Sequence, residues 1–226
     1  MERQGSEANY QGVKKSLPGM MRFNPKDKET RHMLAEVVSW AFFPPIVAMV
    51  FFIFLIFWYA SDFSQGLKWM ITIAPFMIFF PLIFFAISLK LGWISDIDLS
   101  NREERPAFLA VFITTLLIAT ILLYVLGAPQ KLFVYALSGL LVTVATAIVT
   151  LFWKISYHTT VTTSVVSAIA IIGGLRFAWL FLLIIPVAWA RVMLKKHTLA
   201  QVIFGAVVAF LITYGVFYLF GYRFFV

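Results

Sequence analysis

Seven long apolar runs dominate this chain, and they decide what it can fold into. They lie near 37–59, 69–91, 107–126, 131–153, 159–173, 175–190 and 199–220. A helix that crosses the hydrocarbon core needs about 20 apolar residues. Only 12% of residues are charged and 62% are hydrophobic, whereas a soluble domain is about a quarter charged and about half apolar. A water-soluble core of this length has nowhere to hide so much apolar surface, so the solvent is lipid. The sequence predicts an all-α polytopic transmembrane bundle of 6–7 spanning helices. It comprises one membrane domain over 31–226 behind a polar tail, 1–30.

Several local features refine this expectation. The fifth and sixth runs are short and are separated by Gly173-Gly174, which predicts a tight turn between two antiparallel helices. Pro44, Pro45, Pro75, Pro81 and Pro186 fall inside predicted spans, which membrane helices tolerate when neighbours satisfy the freed carbonyls. Thr160, Ser164 and Ala168 are spaced by four, as are Gly205 and Ala209, and small residues at that spacing let helices approach closely. The first run, bulky and aromatic all round, reads as a lipid-facing or tail-binding helix. Residues 25–36 have the composition of a short helix lying on the membrane surface.

There is no cysteine, which excludes disulfides, thiolate nucleophiles and Cys-ligated zinc. The first 30 residues lack the apolar core of a secretory signal. The net charge of +8 fits loops held at anionic headgroups better than it fits nucleic acid, which is not expected as a partner. All but four of the 18 Lys and Arg fall on one predicted face; Lys68, Lys131, Arg176 and Arg223 lie on the other. The asymmetry survives when the cations with a candidate chemical role are set aside. The positive-inside rule therefore predicts that the cation-rich face is cytoplasmic.

Three polar clusters sit on that same face, each abutting a helix end: 96–106, 154–158 and 191–201. Even numbers of spans separate them, so they can meet. Arginine binds phosphate oxygens in bidentate fashion. His158 and His197 lead into spans five and seven, whose first amides can face an anion. His197 and Gln201 are i, i+4, which lets the Gln201 carbonyl hold a ring nitrogen of His197. Two histidines, two or three arginines and helix N-termini describe a phosphoryl-transfer site that does not require a metal, and no cofactor is expected.

These clusters resemble the type 2 phosphatidic acid phosphatase (PAP2) superfamily of membrane phosphatases. That family carries Lys-x6-Arg-Pro, then Pro-Ser-Gly-His, then Ser-Arg-x5-His-x3-Asp. Here Asp98-x6-Arg105-Pro106 keeps the first spacing with Asp for Lys. Ile155-Ser156-Tyr157-His158 keeps the Ser and His of the second motif. Ala190-Arg191-x5-His197-x3-Gln201 keeps the spacing of the third, with Ala for Ser and Gln for Asp. The likeness spans 98–201, about half the chain.

The resemblance implies a PAP2-like bundle and a catalytic set of His197, His158 and Gln201. His197 attacks phosphorus to form a phosphohistidine; His158 protonates the leaving oxygen and then deprotonates the hydrolytic water. Arg105, Arg191 and the amides near Ser156 stabilise the equatorial oxygens. Arg102, Lys154 or Lys195 is expected to replace the cation that Asp98 removes. The implied substrate is a phosphorylated membrane lipid: phosphatidic acid, phosphatidylglycerol phosphate or a polyprenyl (di)phosphate. Two other functions fit the same residues. One is a Mg²⁺-dependent prenyl-diphosphate transferase or lyase using Asp96, Asp98, Glu103 and Glu104. The other is a non-catalytic lipid-phosphate binder or transporter, with Gln201 marking lost chemistry.

Overall fold

The computed structural model describes residues 27–97 and 99–223. All but the last few residues of the polar tail, and the phosphate-binding candidate Asp98, lie outside the described residues. The chain is an all-helical membrane bundle. Five helical segments are long and apolar enough to cross a bilayer: Phe63–Lys90, Arg102–Val125, Gln130–Phe152, Leu175–Met193 and Leu199–Leu219. A pair bent by 40°, Lys28–Ala41 and Pro44–Tyr59, is a sixth if taken as one span, and the apolar helix Tyr157–Gly173 is shorter.

The expected single run over 37–59 is therefore broken. Helix α1 (Lys28–Ala41) ends before Phe43, and α2 (Pro44–Tyr59) starts on the proline pair. A residue before proline is pushed out of the helical region by the proline ring, and Phe43 is extended at φ −62°, ψ 121°. The surface helix expected over 25–36 instead runs on to Ala41. It packs along α8 (Ile184–Met193), with Ala35 and Ser39, spaced by four, buried on one face.

Pro75 and Pro81 also leave a mark. Between α3 (Phe63–Ala74) and α4 (Phe80–Lys90), residues Pro75–Phe79 form a π-helical turn. A proline removes a donor from the ladder, and the wider turn absorbs it without ending the span. Helices α5 (Arg105–Val125) and α6 (Gln130–Phe152) are uninterrupted. Helix α7 (Tyr157–Gly173) ends at Gly174, whose φ of +88° only glycine adopts without strain. The sixth run then descends as a 3-10 helix, Leu175–Leu183, continued by α8.

Helices α7 and α9 (Leu199–Leu219) form the most extensive helix pair and the centre of the bundle. Their approach depends on Gly205: a Cβ there would lie 2.7 Å from the Thr160 hydroxyl and 3.1 Å from the Ser156 carbonyl. Ser164 and Thr213 share a hydrogen bond at 3.0 Å across the same seam. In lipid, where apolar side chains gain little by leaving hydrocarbon, such backbone proximity and hydroxyl pairing hold helices together. The seam fixes the first turn of α7 beside the first turn of α9, which is where His158 and His197 stand.

Candidate phosphoryl-transfer site

The three polar clusters come together at one end of the bundle. Arg105, only 1% exposed, ties the first cluster to the second. Its Nε donates to the Leu99 carbonyl at 2.8 Å, and its Nη1 to the Ile155 carbonyl at 3.2 Å. Its guanidinium also stands 4.8 Å from the centre of the Tyr157 ring, a favourable cation–π contact. Leu99 holds its carbonyl in place from a left-handed conformation, φ +49°. Lys196 joins the third cluster to the first, donating from Nζ to Ser100 Oγ at 3.0 Å.

The turn that places His197 is a Schellman motif. Lys195 takes a left-handed φ of +53°; its N–H reaches the Val192 carbonyl at 3.0 Å, and the Lys196 N–H reaches the Arg191 carbonyl at 3.0 Å. That pair of bonds closes the end of α8. The His197 N–H also bonds the Arg191 carbonyl, at 3.2 Å, so the chain doubles back and sets His197 beside Arg191.

Helix α9 opens with a capping box. Thr198 Oγ1 accepts the Gln201 N–H at 3.3 Å, and Gln201 Oε1 accepts the Thr198 N–H at 3.1 Å. A backbone N–H can only donate, so the side-chain atom facing it is the carbonyl oxygen. The same Oε1 lies 3.1 Å from His197 Nδ1. Nδ1 must therefore carry the proton, and Nε2 keeps its lone pair. The cap thus sets the tautomer of the histidine one residue before it.

His197 is 8% exposed. Burial, and then the fields of Arg191, Lys154 and Arg105, push its pKa down to about 3 against the opposing hydrogen bond from Gln201. The ring is neutral at physiological pH. Lys154, in the segment between α6 and α7, has its amine pushed down by desolvation and then by Arg105, Arg191 and Lys196, with Asp96 opposing. The same arginines thus act on both groups, and such a concentration of positive charge suits an anion.

His158 is reached from an unforeseen direction. Arg191 Nη1 donates to Ser39 Oγ at 2.6 Å, and Ser39 Oγ lies 3.4 Å from His158 Nε2. Ser39, on α1, thus bridges the arginine of the third cluster and the histidine of the second. Ser156 caps α7 only in backbone terms: its Oγ is fully buried and has no hydrogen-bond partner among the described residues. A buried hydroxyl at the start of a helix, next to first-turn amides that have no helical partner, is suited to an anion's oxygen.

Arg102 stands apart. Its Nη1 faces the Leu151 carbonyl at 3.4 Å, at the C-terminal end of α6, where a cation complements the helix dipole. Lys195 is exposed. Of the cations expected to replace the one lost at position 98, Lys154 is the one whose charge acts on His197. The loop acids have local work: Glu104 accepts from the Ser95 N–H and hydroxyl and from the Asn101 amide, and Asp96 accepts the Ser100 N–H. Among the described residues, no three His, Cys, Asp or Glu side chains come together.

No motif in the sequence marks Ser39, because the continuous apolar run over 37–59 hides the break at Phe43 that sets α1 apart. Ala35 and Ser39, spaced by four, put two small residues on one face of α1, but nothing local says what that face meets. No family model, no curated protein and no solved structure matches the chain.

Proposed function

We propose that this chain is a PAP2-type membrane phosphatase acting on a lipid phosphomonoester or diphosphate at its cytoplasmic face. One observation carries the reading: a neutral His197 with its Nε2 lone pair fixed by the Gln201 cap, flanked by Arg191, Lys154 and Arg105. Such a group is a nucleophile at the edge of an anion site, and phosphoryl transfer asks mainly for positioning and charge stabilisation.

The chemistry runs in two steps. His197 Nε2 attacks phosphorus, the bond from phosphorus to the leaving oxygen breaks, and His158 gives that oxygen a proton. Water then attacks the phosphohistidine and passes its proton to His158. Phosphate leaves and Nε2 regains its lone pair. Arg191, held by Ser39, and the amides following Ser156 face the equatorial oxygens. Gln201 orients His197 as the family's aspartate does but brings no negative charge to the developing imidazolium, so turnover is slower than with a carboxylate.

The test is inorganic phosphate release by the detergent-purified protein from phosphatidic acid and from farnesyl diphosphate, with excess EDTA. Release that persists in EDTA and vanishes in His197→Ala is expected. Release from neither substrate would overturn the reading. Release only when Mg²⁺ and a prenyl acceptor are present would move the assignment to a transferase.

A further inference from the structure

Behind His158, an apolar cavity of about 550 Å³ extends into the membrane part of the bundle. Helices α2 to α7 and the π turn wall it, with Tyr157 and His158 among its lining residues and Tyr135 on the far stretch of α6. The lining of α6 runs from Thr146 to Tyr135, a rise of about 16 Å at about 1.5 Å per residue. That is close to half of the roughly 30 Å hydrocarbon core, one leaflet deep.

The two threonine hydroxyls of α6 in this lining bond their own helix backbone. Thr143 bonds the Gly139 carbonyl and Thr146 the Val142 carbonyl, each at 2.7 Å. The walls are therefore hydrocarbon in character, with histidine at one end. Helix α2 packs on α3, α6 and α7, and α4 on α5 and the π turn, while α2 and α4 make no extensive contact with each other. Both line the cavity, with little packing of one on the other.

Gly139 gives the cavity its clearest mark of purpose. It lies in the middle of α6, where glycine is disfavoured relative to alanine. It serves no close helix approach, since a Cβ there would meet nothing within 4 Å. Instead it lines the cavity, and its missing side chain keeps the lumen open.

We propose that this cavity, one leaflet deep, seats the one hydrocarbon chain of a single-chain lipid phosphate, with its phosphate at His158 and His197. The assignment rests on the phosphatase reading for its headgroup. The chain slides in between α2 and α4 from the leaflet on the site's side. Because lipid is as apolar as the cavity, transfer offers little hydrophobic gain, so selectivity comes from shape: a second acyl chain has no room.

Gly139→Ala and Gly139→Leu fill the lumen in steps while favouring the helix. The ratio of kcat/KM for farnesyl phosphate (15 carbons) to that for dimethylallyl phosphate (5 carbons) is expected to fall in the order Gly, Ala, Leu, at least tenfold for Leu. Comparing each variant's ratio with that of the wild type cancels the different partitioning of the two substrates. Dipalmitoyl phosphatidic acid should be turned over at least tenfold less efficiently than farnesyl phosphate. An unchanged ratio, or equal use of the two-chain lipid, overturns the proposal. Binding separates the two readings: His197→Ala protein should bind farnesyl phosphate saturably, and His197→Ala/Gly139→Leu should lose that binding at least tenfold. Binding with this pattern but no turnover in the wild type would retain the chain site and discard the phosphatase. Turnover with binding indifferent to Gly139→Leu would do the reverse.

Discussion

The tautomer of His197 is set by a neighbour's helix cap, and its charge by burial and three cations. Its pKa near 3 lies below its ordinary value, so between about pH 3 and 6.5 the unfolded chain binds a proton that the folded chain does not. Folding stability from this residue is therefore full above about pH 6.5 and falls as the pH drops through that window. In ¹⁵N spectra, the ring assigned by its loss in His197→Ala should be neutral, with the proton on Nδ1, at pH 5. Lys154→Met removes one repelling cation and should move the titration upward. An imidazolium in the wild type at pH 5 would contradict the arrangement. Ser39 gives a second residue-scale prediction. Ser39→Ala removes the bridge between Arg191 and His158 and leaves a buried guanidinium with one acceptor fewer. The expected loss is about tenfold in kcat, below the roughly hundredfold or more of losing a general acid, with a smaller change in KM. Unchanged turnover would reduce Ser39 to packing between α1 and α8.

At the scale of elements, the α8–α9 turn shows a local conflict. Its Schellman motif needs a left-handed residue, and Lys195 fills the place where glycine is usual. An L-residue in that conformation costs roughly 1–2 kcal/mol. Lys195 is exposed, and the charges acting on His197 come from other residues. Lys195→Gly should therefore raise stability by about 1 kcal/mol, seen as a higher midpoint in detergent denaturation, with phosphate release within twofold of wild type. Loss of activity would mean that the lysine side chain, and not the turn, matters. The same turn shows what was legible in the sequence and what was not. The i, i+4 spacing of His197 and Gln201, the Gly173-Gly174 turn and the small residues of α7 and α9 are short-range patterns, and each appears in the structure. The bend at Phe43 was also local, since Pro44-Pro45 dictates it, but a continuous apolar run masked it. Ser39 is different in kind: its partners are 119 and 152 residues away in sequence, and no local pattern encodes them. Nor does local pattern separate Arg102 from Arg105, three residues apart, of which one caps α6 and the other ties two loops of the site.

For the whole molecule, the convergence of three loops at one end of the bundle fixes which loops share a face, while the side of the membrane they occupy depends on charge. Arg105 to Ile155 and Lys196 to Ser100 place the 96–105, 154–158 and 191–198 segments together. The loop between α2 and α3, one span from the first of them, stands at the opposite end. Translocating several arginines and lysines is opposed during insertion, and the site's own cations therefore favour the cytoplasmic side proposed for it. The absence of cysteine makes the test direct, because any introduced thiol is the sole label. Glu103 and Ser64 are both exposed and lie on opposite faces. In intact cells Ser64→Cys should react with a membrane-impermeant maleimide and Glu103→Cys should not. In inverted vesicles the pattern should exchange. The opposite labelling would put the proposed site outside the cell and would turn the proposal towards lipids of the outer leaflet. The leaflet-deep cavity behind His158 would then draw its chain from that side, with its geometry unchanged.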